Sequence, residues 1–316
     1  MIASDRVCSV SVDLDPLSCY YRIHGLGEAP EALGDVILRR GLPRFAELFA
    51  RRGIRATLFV VGSDVLAGSA GRGRLRELSA LGHELGNHSF THPYAMARLD
   101  RSRVDEEISR AHEAISETAN APPVGFRAPG YDLSRTMIAS LMAHGYRYDS
   151  SIFPAPLYWA AKAAVMGGLK LFRRPSGAVM GNPRALMAPL MPYRPDPNSP
   201  WRRGQAPIVE LPISVSPHLR IPVIGTSLLS APTSIRARLL ESIRARNFFN
   251  FELHGIDLVD AEEDGIPAEL VARQPDLRVP LLTRRRALEA TLDRLALDFR
   301  FAPLREVASE IHRRGF

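Results

Sequence analysis

Two short motifs in this sequence carry the residue types of a metal site. One is the run HSFTH, in which His88 and His92 lie four residues apart, and the other is the run DLD, with Asp13 and Asp15. Two imidazoles and one carboxylate supply three protein ligands, the number typical of a catalytic Zn²⁺ that keeps a position open for water. The remaining carboxylate is then free to act as a base. The plainer alternatives are aspartates that open a turn at Pro16 and solvated loop histidines.

The two aspartates end a stretch that predicts a β-strand. Residues 7–12 read VCSVSV, with a period of two and β-branched side chains, which is typical of a strand that enters a core. Because side chains alternate along a strand, Asp13 and Asp15 would point the same way and could reach one cavity. His88 and His92 follow a glycine-containing segment and are followed at once by Pro93, which favours a tight loop.

Two more polar residues end short apolar runs. Arg127 follows Phe126 and precedes a turn, where an arginine can hold a carboxylate. His254 ends an aromatic run, and the ordinary pKa of histidine suits proton transfer near neutrality. A solvent-facing turn arginine and a satisfied histidine at a strand end are the alternatives.

The chain resembles the NodB-type polysaccharide deacetylases, carbohydrate esterase family four, in five motifs that occur in the family's order. The motifs span about residues 7 to 260, and the His-Ser/Thr-x-x-His element is the most specific of them. They are Asp13-Leu14-Asp15, His88-Ser89-Phe90-Thr91-His92, Arg127-Ala128-Pro129-Gly130, Tyr148-Asp149-Ser150-Ser151 and Leu253-His254.

The resemblance implies metal-dependent hydrolysis of an amide. Its metal ligands would be Asp15, His88 and His92, with Zn²⁺ as the default ion, although imidazole and carboxylate also suit other divalent metals. Asp13 looks like the catalytic base, oriented by Arg127. The base would deprotonate the attacking water, while charge develops on an oxygen held by the metal and by N–H donors.

The other implied roles concern the leaving amine and the oxyanion. His254 looks like the general acid that protonates the amine, with Asp149 as the carboxylate that tunes it. A backbone N–H near Gly130 or Tyr131 would help to bind the oxyanion.

The sequence departs from the family's pattern in two motifs. Leu14 separates the aspartates and Pro16 follows them, whereas the commoner first motif has adjacent aspartates followed by glycine. This variant resembles a subgroup that includes intracellular and lipid-linked-sugar deacylases. The fourth motif has Ile152 and Phe153 where the family usually has tryptophan, so we expect the family's chemistry with a differently lined acyl pocket.

The composition is that of a folded protein with an ample core. The 316 residues are 46% hydrophobic and 24% charged, with a formal net charge of +7. This basic balance suits anionic lipid, phosphate-bearing substrates or simply a solvated surface, and we expect no nucleic-acid partner. Two cysteines, Cys8 and Cys19, give no disulfide framework, and neither a secretory signal nor a spanning apolar run is visible. We therefore expect a cytoplasmic protein, peripheral to the inner face of the membrane.

Alternating strand and helix patterns predict an α/β fold with parallel strands and outer helices. The resemblance implies a distorted (β/α)7 barrel in a single catalytic domain over 1–316, and helices within 283–316 are expected to close it. The proposed functional residues fall at strand ends, where barrel enzymes place their sites. The patterns put strands at 7–13, 55–61, 83–87 and 124–127, and helices around 31–52, 71–81, 101–119 and 134–143.

Residues 154–222 break this rhythm and hold thirteen of the 25 prolines. Within them, 154–206 is predicted to be an inserted, irregular subregion, and a strand resumes over 207–212. The segment 157–174 is apolar, aromatic at one end and basic at the other, so it could lie on a membrane surface. Its glycine pair weakens a continuous helix, and a buried packing helix or a flap over the pocket are the alternatives.

These observations predict an N-deacetylase that acts on an N-acylated amino sugar of a cell-envelope glycan or of its lipid-linked precursor. One alternative is a hydrolase of the same fold that cleaves a non-sugar amide or imide. The other is a non-catalytic glycan-binding or membrane-binding protein, which the presence of every candidate residue disfavours.

Overall fold

The computed structural model describes residues 6–66, 70–171 and 177–314. The strands described are β1 (Val7–Asp13), β2 (Thr57–Val60), β3 (Glu84–Asn87), β4 (Gly125–Phe126), β5 (Tyr148–Asp149), β6 (Pro195–Asp196), β7 (Ser199–Arg203), β8 (Val209–Glu210), β9 (Phe248–His254) and β10 (Arg300–Phe301). The helices are α1 (Leu17–His24), α2 (Leu42–Ala50), α3 (Ala70–Ala80), α4 (Arg101–Ala119), α5 (Arg135–Ala143), α6 (Pro156–Leu171), α7 (Gly225–Ser230), α8 (Thr233–Ile243), α9 (Ala268–Val271), α10 (Leu281–Leu295) and α11 (Leu304–Arg314). Within these ranges, no helix has both the length and the apolar character needed to span a membrane.

The curled sheet has eight parallel strands, of which seven follow the order β9-β1-β2-β3-β4-β5-β8 and the short β10 pairs with the first residues of β1. No ladder joins β8 to β9 in the described chain. Asn250 of β9 crosses this seam instead, since its backbone N–H donates to Ser214 Oγ at 2.9 Å and its side-chain amide donates to the Leu211 carbonyl at 3.1 Å. The sheet is therefore a partly open barrel of seven strands, which confirms the predicted distorted (β/α)7 fold.

The register of the strands brings the predicted site residues to one edge of the sheet. Asp13, the last residue of β1, pairs with His254, the last residue of β9. The ends of β3 and β4 also pair, so His88 and Arg127, which follow these strands directly, lie at the same edge. The carboxyl ends of parallel strands are the usual place for a site in such folds.

The helix predicted around 31–52 is interrupted. Pro43, in the first turn of α2, has no N–H to donate to the carbonyl four residues earlier. The Leu42 N–H donates instead to the Ile37 carbonyl five residues earlier, which widens the preceding turn. The segment consequently becomes a 3₁₀ turn, a π turn and α2, the first two over Glu31–Leu33 and Ile37–Gly41.

The segment 154–206 is less irregular than predicted, because it contains α6 and the antiparallel pair β6 and β7. Helix α6 continues through its two glycines, and residues 172–174 of the predicted apolar segment lie outside the described residues. None of the described α6 side chains is buried, so the alternative of a buried packing helix is wrong. The strand predicted over 207–212 shortens to β8.

Near the C-terminal end, the helices expected within 283–316 correspond to α10, which already begins at Leu281, and to α11; residues 315 and 316 lie outside the description. Helix α10 packs its leucines into the main core, and α11 contributes Leu304 and Val307 to a smaller apolar cluster beside β1. Between these helices lies β10, a strand that the sequence patterns did not predict.

Candidate active site

The three predicted metal ligands come together at the carboxyl edge of the sheet. Asp15 follows β1, and His88 and His92 lie in the loop after β3. Asp15 Oδ1 is 3.0 Å from His88 Nε2 and 3.3 Å from His92 Nε2. All three side chains are buried, and their ligand atoms lie within 4.8 Å of one another. We call these three residues the metal half of the site.

The partners of the two imidazoles direct both Nε2 atoms toward Asp15. His88 Nδ1 is 2.7 Å from the Arg127 carbonyl oxygen, which can only accept, so Nδ1 carries a proton and Nε2 is the nitrogen left to bind a metal ion. His92 Nδ1 contacts Cys19 Sγ at 3.3 Å. Asp15 Oδ1 and His92 Nε2 are both buried without a hydrogen-bond partner. A buried carboxylate oxygen left unsatisfied between two imidazole nitrogens fits a divalent cation.

The loop that carries the two histidines is tight, as predicted, and its backbone is strained. Ser89 and His92 have φ angles of 64° and 54°, a region that residues with a Cβ rarely adopt. Glu107 of α4 holds the loop, because its Oε2 accepts from the backbone N–H groups of Phe90 and Thr91 at 2.9 and 2.8 Å. These hydrogen bonds hold the loop in the conformation in which both imidazoles face Asp15.

Asp13 and Arg127 form a buried ion pair beside the metal half. Arg127 Nη1 is 2.5 Å from Asp13 Oδ1, while Asp13 Oδ2 is 4.0 Å from His88 Nε2. The other guanidinium N–H groups donate to Ser11 Oγ and to the carbonyl and hydroxyl oxygens of Ser150. Burial raises the pKa of Asp13, and although the Arg127 charge opposes this shift, the pKa stays above its ordinary value. The carboxylate is thus fixed in orientation and more basic than an exposed one.

His254 is paired with Glu252. Its Nδ1 is 3.0 Å from Glu252 Oε1, and its Nε2 is 3.0 Å from the Tyr131 hydroxyl, which itself donates to Glu252 Oε1 at 3.0 Å. Burial would lower the pKa of His254, but the Glu252 carboxylate raises it well above the ordinary value. The ring therefore holds a proton at neutral pH. We call Tyr131, Glu252 and His254 the proton half of the site.

Asp149 supports the turn after Arg127 instead of His254. Its carboxylate accepts from the backbone N–H and the hydroxyl of Ser151 at 3.1 and 2.7 Å, and Ser151 Oγ accepts from the Ala128 N–H at 2.8 Å. In the sheet order, β8 lies between β5, which carries Asp149, and the seam to β9. The prediction that Asp149 tunes His254 is therefore wrong. The sequence already indicated Glu252 as a partner of His254, because the two residues lie two positions apart on β9 and residues two apart on a strand point the same way.

The turn predicted to bind an oxyanion has two consecutive residues with positive φ, Gly130 at 65° and Tyr131 at 61°. The Tyr131 N–H donates to the Ala128 carbonyl at 3.1 Å, so the predicted use of this amide is wrong, and Tyr131 contributes its hydroxyl instead. Gly130 remains the predicted N–H donor. Phe153, which stands where the family usually has tryptophan, is buried, and its ring centroid is 5.3 Å from that of Tyr131 and 5.1 Å from that of Tyr158.

Comparison with known proteins shows which family part of the chain resembles. Residues 34–148 match the family model described as polysaccharide deacetylase. The peptidoglycan deacetylase of Helicobacter pylori is 24% identical over 153 residues, which make up 48% of this chain and 51% of that protein. The uncharacterized protein YlxY of Bacillus subtilis is 28% identical over 107 residues, 34% of this chain and 31% of that protein. The chain thus spans about half of the length of these relatives, or less.

Solved structures share the fold along nearly the whole chain. Puue allantoinase has a TM-score of 0.61 at 15% identity and covers 98% of this chain and 91% of its own. A candidate polysaccharide deacetylase from Mycobacterium smegmatis has a TM-score of 0.58 at 17% identity, with coverages of 99% and 92%. At these identities the likeness concerns the fold alone. The family match covers residues 34–148, so this part of the chain is similar to polysaccharide deacetylases.

Proposed function

We propose that this protein is a metal-dependent N-deacylase that removes an acyl group, most simply acetyl, from an amino sugar. The observation that carries the proposal is that an oriented base lies close both to a protonated histidine and to an unsatisfied ligand set. Asp13 Oδ2 lies 4.0 Å from His88 Nε2, and the ligand atoms of Asp13, Glu252 and His254 lie within 4.8 Å of one another.

Asp15, His88 and His92 would hold the ion, and two imidazoles with one carboxylate make Zn²⁺ the metal that we expect. When bound there, a divalent ion polarises the substrate carbonyl and makes water more acidic. The Arg127 carbonyl and the Cys19 thiol already fix the orientation of the two rings, so little reorganisation is needed on binding.

In the proposed reaction, Asp13 takes a proton from the attacking water while Arg127 keeps its carboxylate in place. The water oxygen bonds to the amide carbon, and the Gly130 N–H is our candidate donor to the oxyanion. His254 then gives its Nε2 proton to the nitrogen as the C–N bond breaks, leaving a carboxylic acid and a free amine. Until substrate arrives, the Tyr131 hydroxyl is the partner of that Nε2 atom.

As the substrate we propose an N-acylated amino sugar of a cell-envelope glycan or of its lipid-linked precursor. The family match and the relative named as a peptidoglycan deacetylase support a sugar. The alternative is a non-sugar amide or imide, which requires the same base and acid but a different pocket. A screen of both substrate classes separates these two candidates.

We further propose peripheral contact with an anionic membrane through 157–174, at the inner face of the membrane in the cytoplasm. On α6, Leu157 and Leu171 are 56% and 79% exposed, and Lys170 lies in the last turn. Cys8 and Cys19 are both free thiols, which suits a reducing compartment. Sedimentation with phosphatidylserine liposomes tests the contact, and identical sedimentation with and without the liposomes would refute it.

The decisive experiment on function pairs metal analysis with product release. Elemental analysis of the purified protein gives the metal content, and acetate release from N-acetylated amino sugars is measured with and without chelator. We expect about one metal per chain and chelator-sensitive release. Metal without release would favour the non-sugar substrate, and absence of metal after reconstitution would overturn the ligand assignment.

A further inference from the structure

A groove of about 560 Å³ lies between α6 and the mouth of the barrel, and most of its exposed wall is apolar. The α6 residues that line the groove recur at helical spacing and therefore form one face of the helix. The apolar members of that face include Leu157, Ala161 and Val165. Other parts of the wall come from Ile221 and Ile224, in the segment before α7.

Helix α6 gains little burial from the barrel. None of its described side chains is buried, and two that line the groove, Leu157 and Val165, are 56% and 48% exposed. Removing apolar side chains from water is favourable. Burial of this exposed apolar face of α6 would therefore be favourable. An apolar ligand in the groove would bury it.

The groove joins the active site at the proton half. His254 and Tyr131 both line it, whereas none of the three residues of the metal half does. In amide hydrolysis the carbonyl lies at the Lewis acid and the departing nitrogen lies beside the general acid. A chain that occupies the groove therefore belongs to the amine half of the substrate, which is the sugar, and not to the departing acyl group.

We infer that the groove binds a hydrocarbon chain carried by the sugar, so that the substrate is an amino-sugar glycolipid with a small N-acyl group. This inference rests on the proposed deacylase function and selects the lipid-linked substrate over the polymeric glycan. Polar groups such as those of His254, Gln274 and Asp276 also line the groove, but most of its exposed wall is apolar, and a glycan strand would place hydroxyl groups against that apolar part without partners for them. An alkyl or prenyl chain needs no such partners.

The octyl and methyl β-glycosides of N-acetylglucosamine test the inference. Binding is measured by calorimetry, below the micelle concentration of the octyl compound, with the metal-loaded Asp13→Asn protein so that substrate is not consumed. We expect the octyl glycoside to bind about 10- to 100-fold more tightly than the methyl glycoside. An octyl glycoside that binds no better, or that fails to bind at all, overturns the inference.

Two substitutions on the same helix test whether the octyl chain lies in this groove. Ala161 lines the groove, whereas Ala163 on the same helix does not. In the Asp13→Asn background, Ala161→Trp is expected to remove the octyl advantage and leave the affinity for the methyl glycoside unchanged, while Ala163→Trp retains it. An octyl advantage that survives Ala161→Trp would place the chain elsewhere and overturn the assignment to this groove.

Acetate release by the native protein separates failure of the groove from failure of the proposed function. Equal kcat/KM for the two glycosides would uphold the deacylase and overturn the groove. Tighter octyl binding that is sensitive to Ala161→Trp, without acetate release from either compound, would uphold the groove and count against the proposed reaction.

Discussion

The metal half and the proton half of the site give the Nδ1 atoms of their histidines different kinds of partner. In the metal half, each ring meets an uncharged partner at Nδ1, the Arg127 carbonyl or the Cys19 thiol; burial lowers the pKa of His92, while the Asp13 and Asp15 carboxylates raise that of His88 against the effect of burial. In the proton half, the Glu252 carboxylate meets Nδ1 of His254 and raises the pKa of that ring. The partner on the far nitrogen therefore decides whether a histidine offers a lone pair or a proton.

The two halves also differ in access. The proposed metal ligands are buried, whereas the His254 side chain is 20% exposed and lines the groove. A metal ligand gains from a dry, rigid setting, but a general acid has to reach the substrate nitrogen. Substitutions in the metal half should therefore remove metal and rate together, while those around His254 should change the pH dependence and leave the metal bound.

The largest effect is expected from His88→Ala, which removes one of the three proposed metal ligands. We expect loss of stoichiometric metal, and a fall in kcat/KM of about 10³-fold or more, because the Lewis acid contributes several kcal/mol to the transition state. Elemental analysis and acetate release measure the two effects. His144→Ala, at a histidine outside the site, serves as the control, and full metal content in the His88 variant would show that this residue is not a ligand.

Asp13→Asn should lower kcat without loss of the metal. The amide can still accept from Arg127 but is a very poor base, so kcat is expected to fall by about 10³-fold. Metal content should stay near that of the native protein, because Asp13 is not among the proposed ligands. Rates near the native value would remove Asp13 from the role of base.

Glu252→Gln should shift the pH dependence of kcat and leave the metal content nearly unchanged. The reaction needs His254 protonated, so the rate falls as pH rises through the pKa of this histidine, and Glu252 holds that pKa high. Removing the carboxylate lowers the pKa, and the alkaline limb of kcat then moves to lower pH. At a pH above the new limb, we expect a loss of about 10- to 100-fold.

Asp149→Asn is the matched comparison for Glu252→Gln. Asp149 bonds to Ser151 and is separated from the seam to β9 by β8, so its removal should leave the alkaline limb where it is, whatever it does to stability. If Asp149→Asn moved the limb and Glu252→Gln did not, the pairing of His254 in the proton half would be refuted.

The metal half was predictable from the sequence because its information is local. His88 and His92 fall within five residues, and Asp15 lies two residues after Asp13, which ends β1. Parallel pairing then brings the aspartates and the histidines together, because the ends of β1 and β3 reach the same edge of the sheet through β2. The alternation of strands and helices was enough to predict that edge.

The proton half was only partly predictable because its partners depend on packing between distant segments. His254 was found, but Asp149 was assigned to it by motif order, and motif order does not show that β8 separates Asp149 from the seam to β9. The predicted elements do not include helix α1 either: its buried Leu17, Tyr20 and Tyr21 repeat at helical spacing, but the helix has only 8 residues. Its Cys19 reaches His92 across 73 positions of sequence, a contact that no local pattern reports.

The smallest effect is expected from Cys19→Ala, which tests whether the partner of His92 matters to the metal half. The thiol lies 3.3 Å from His92 Nδ1 and accepts from Arg22 Nη2 at 3.1 Å. Its loss leaves the ring N–H without its partner, and changes of this kind typically weaken metal binding by about 10-fold. Competition with a chromophoric chelator measures the affinity, with Cys8→Ala as a control at the other buried thiol. Cys19→Ser keeps an acceptor at this position and should recover part of the affinity, whereas equal affinities in all three variants would show that the ring is held by the strained loop alone.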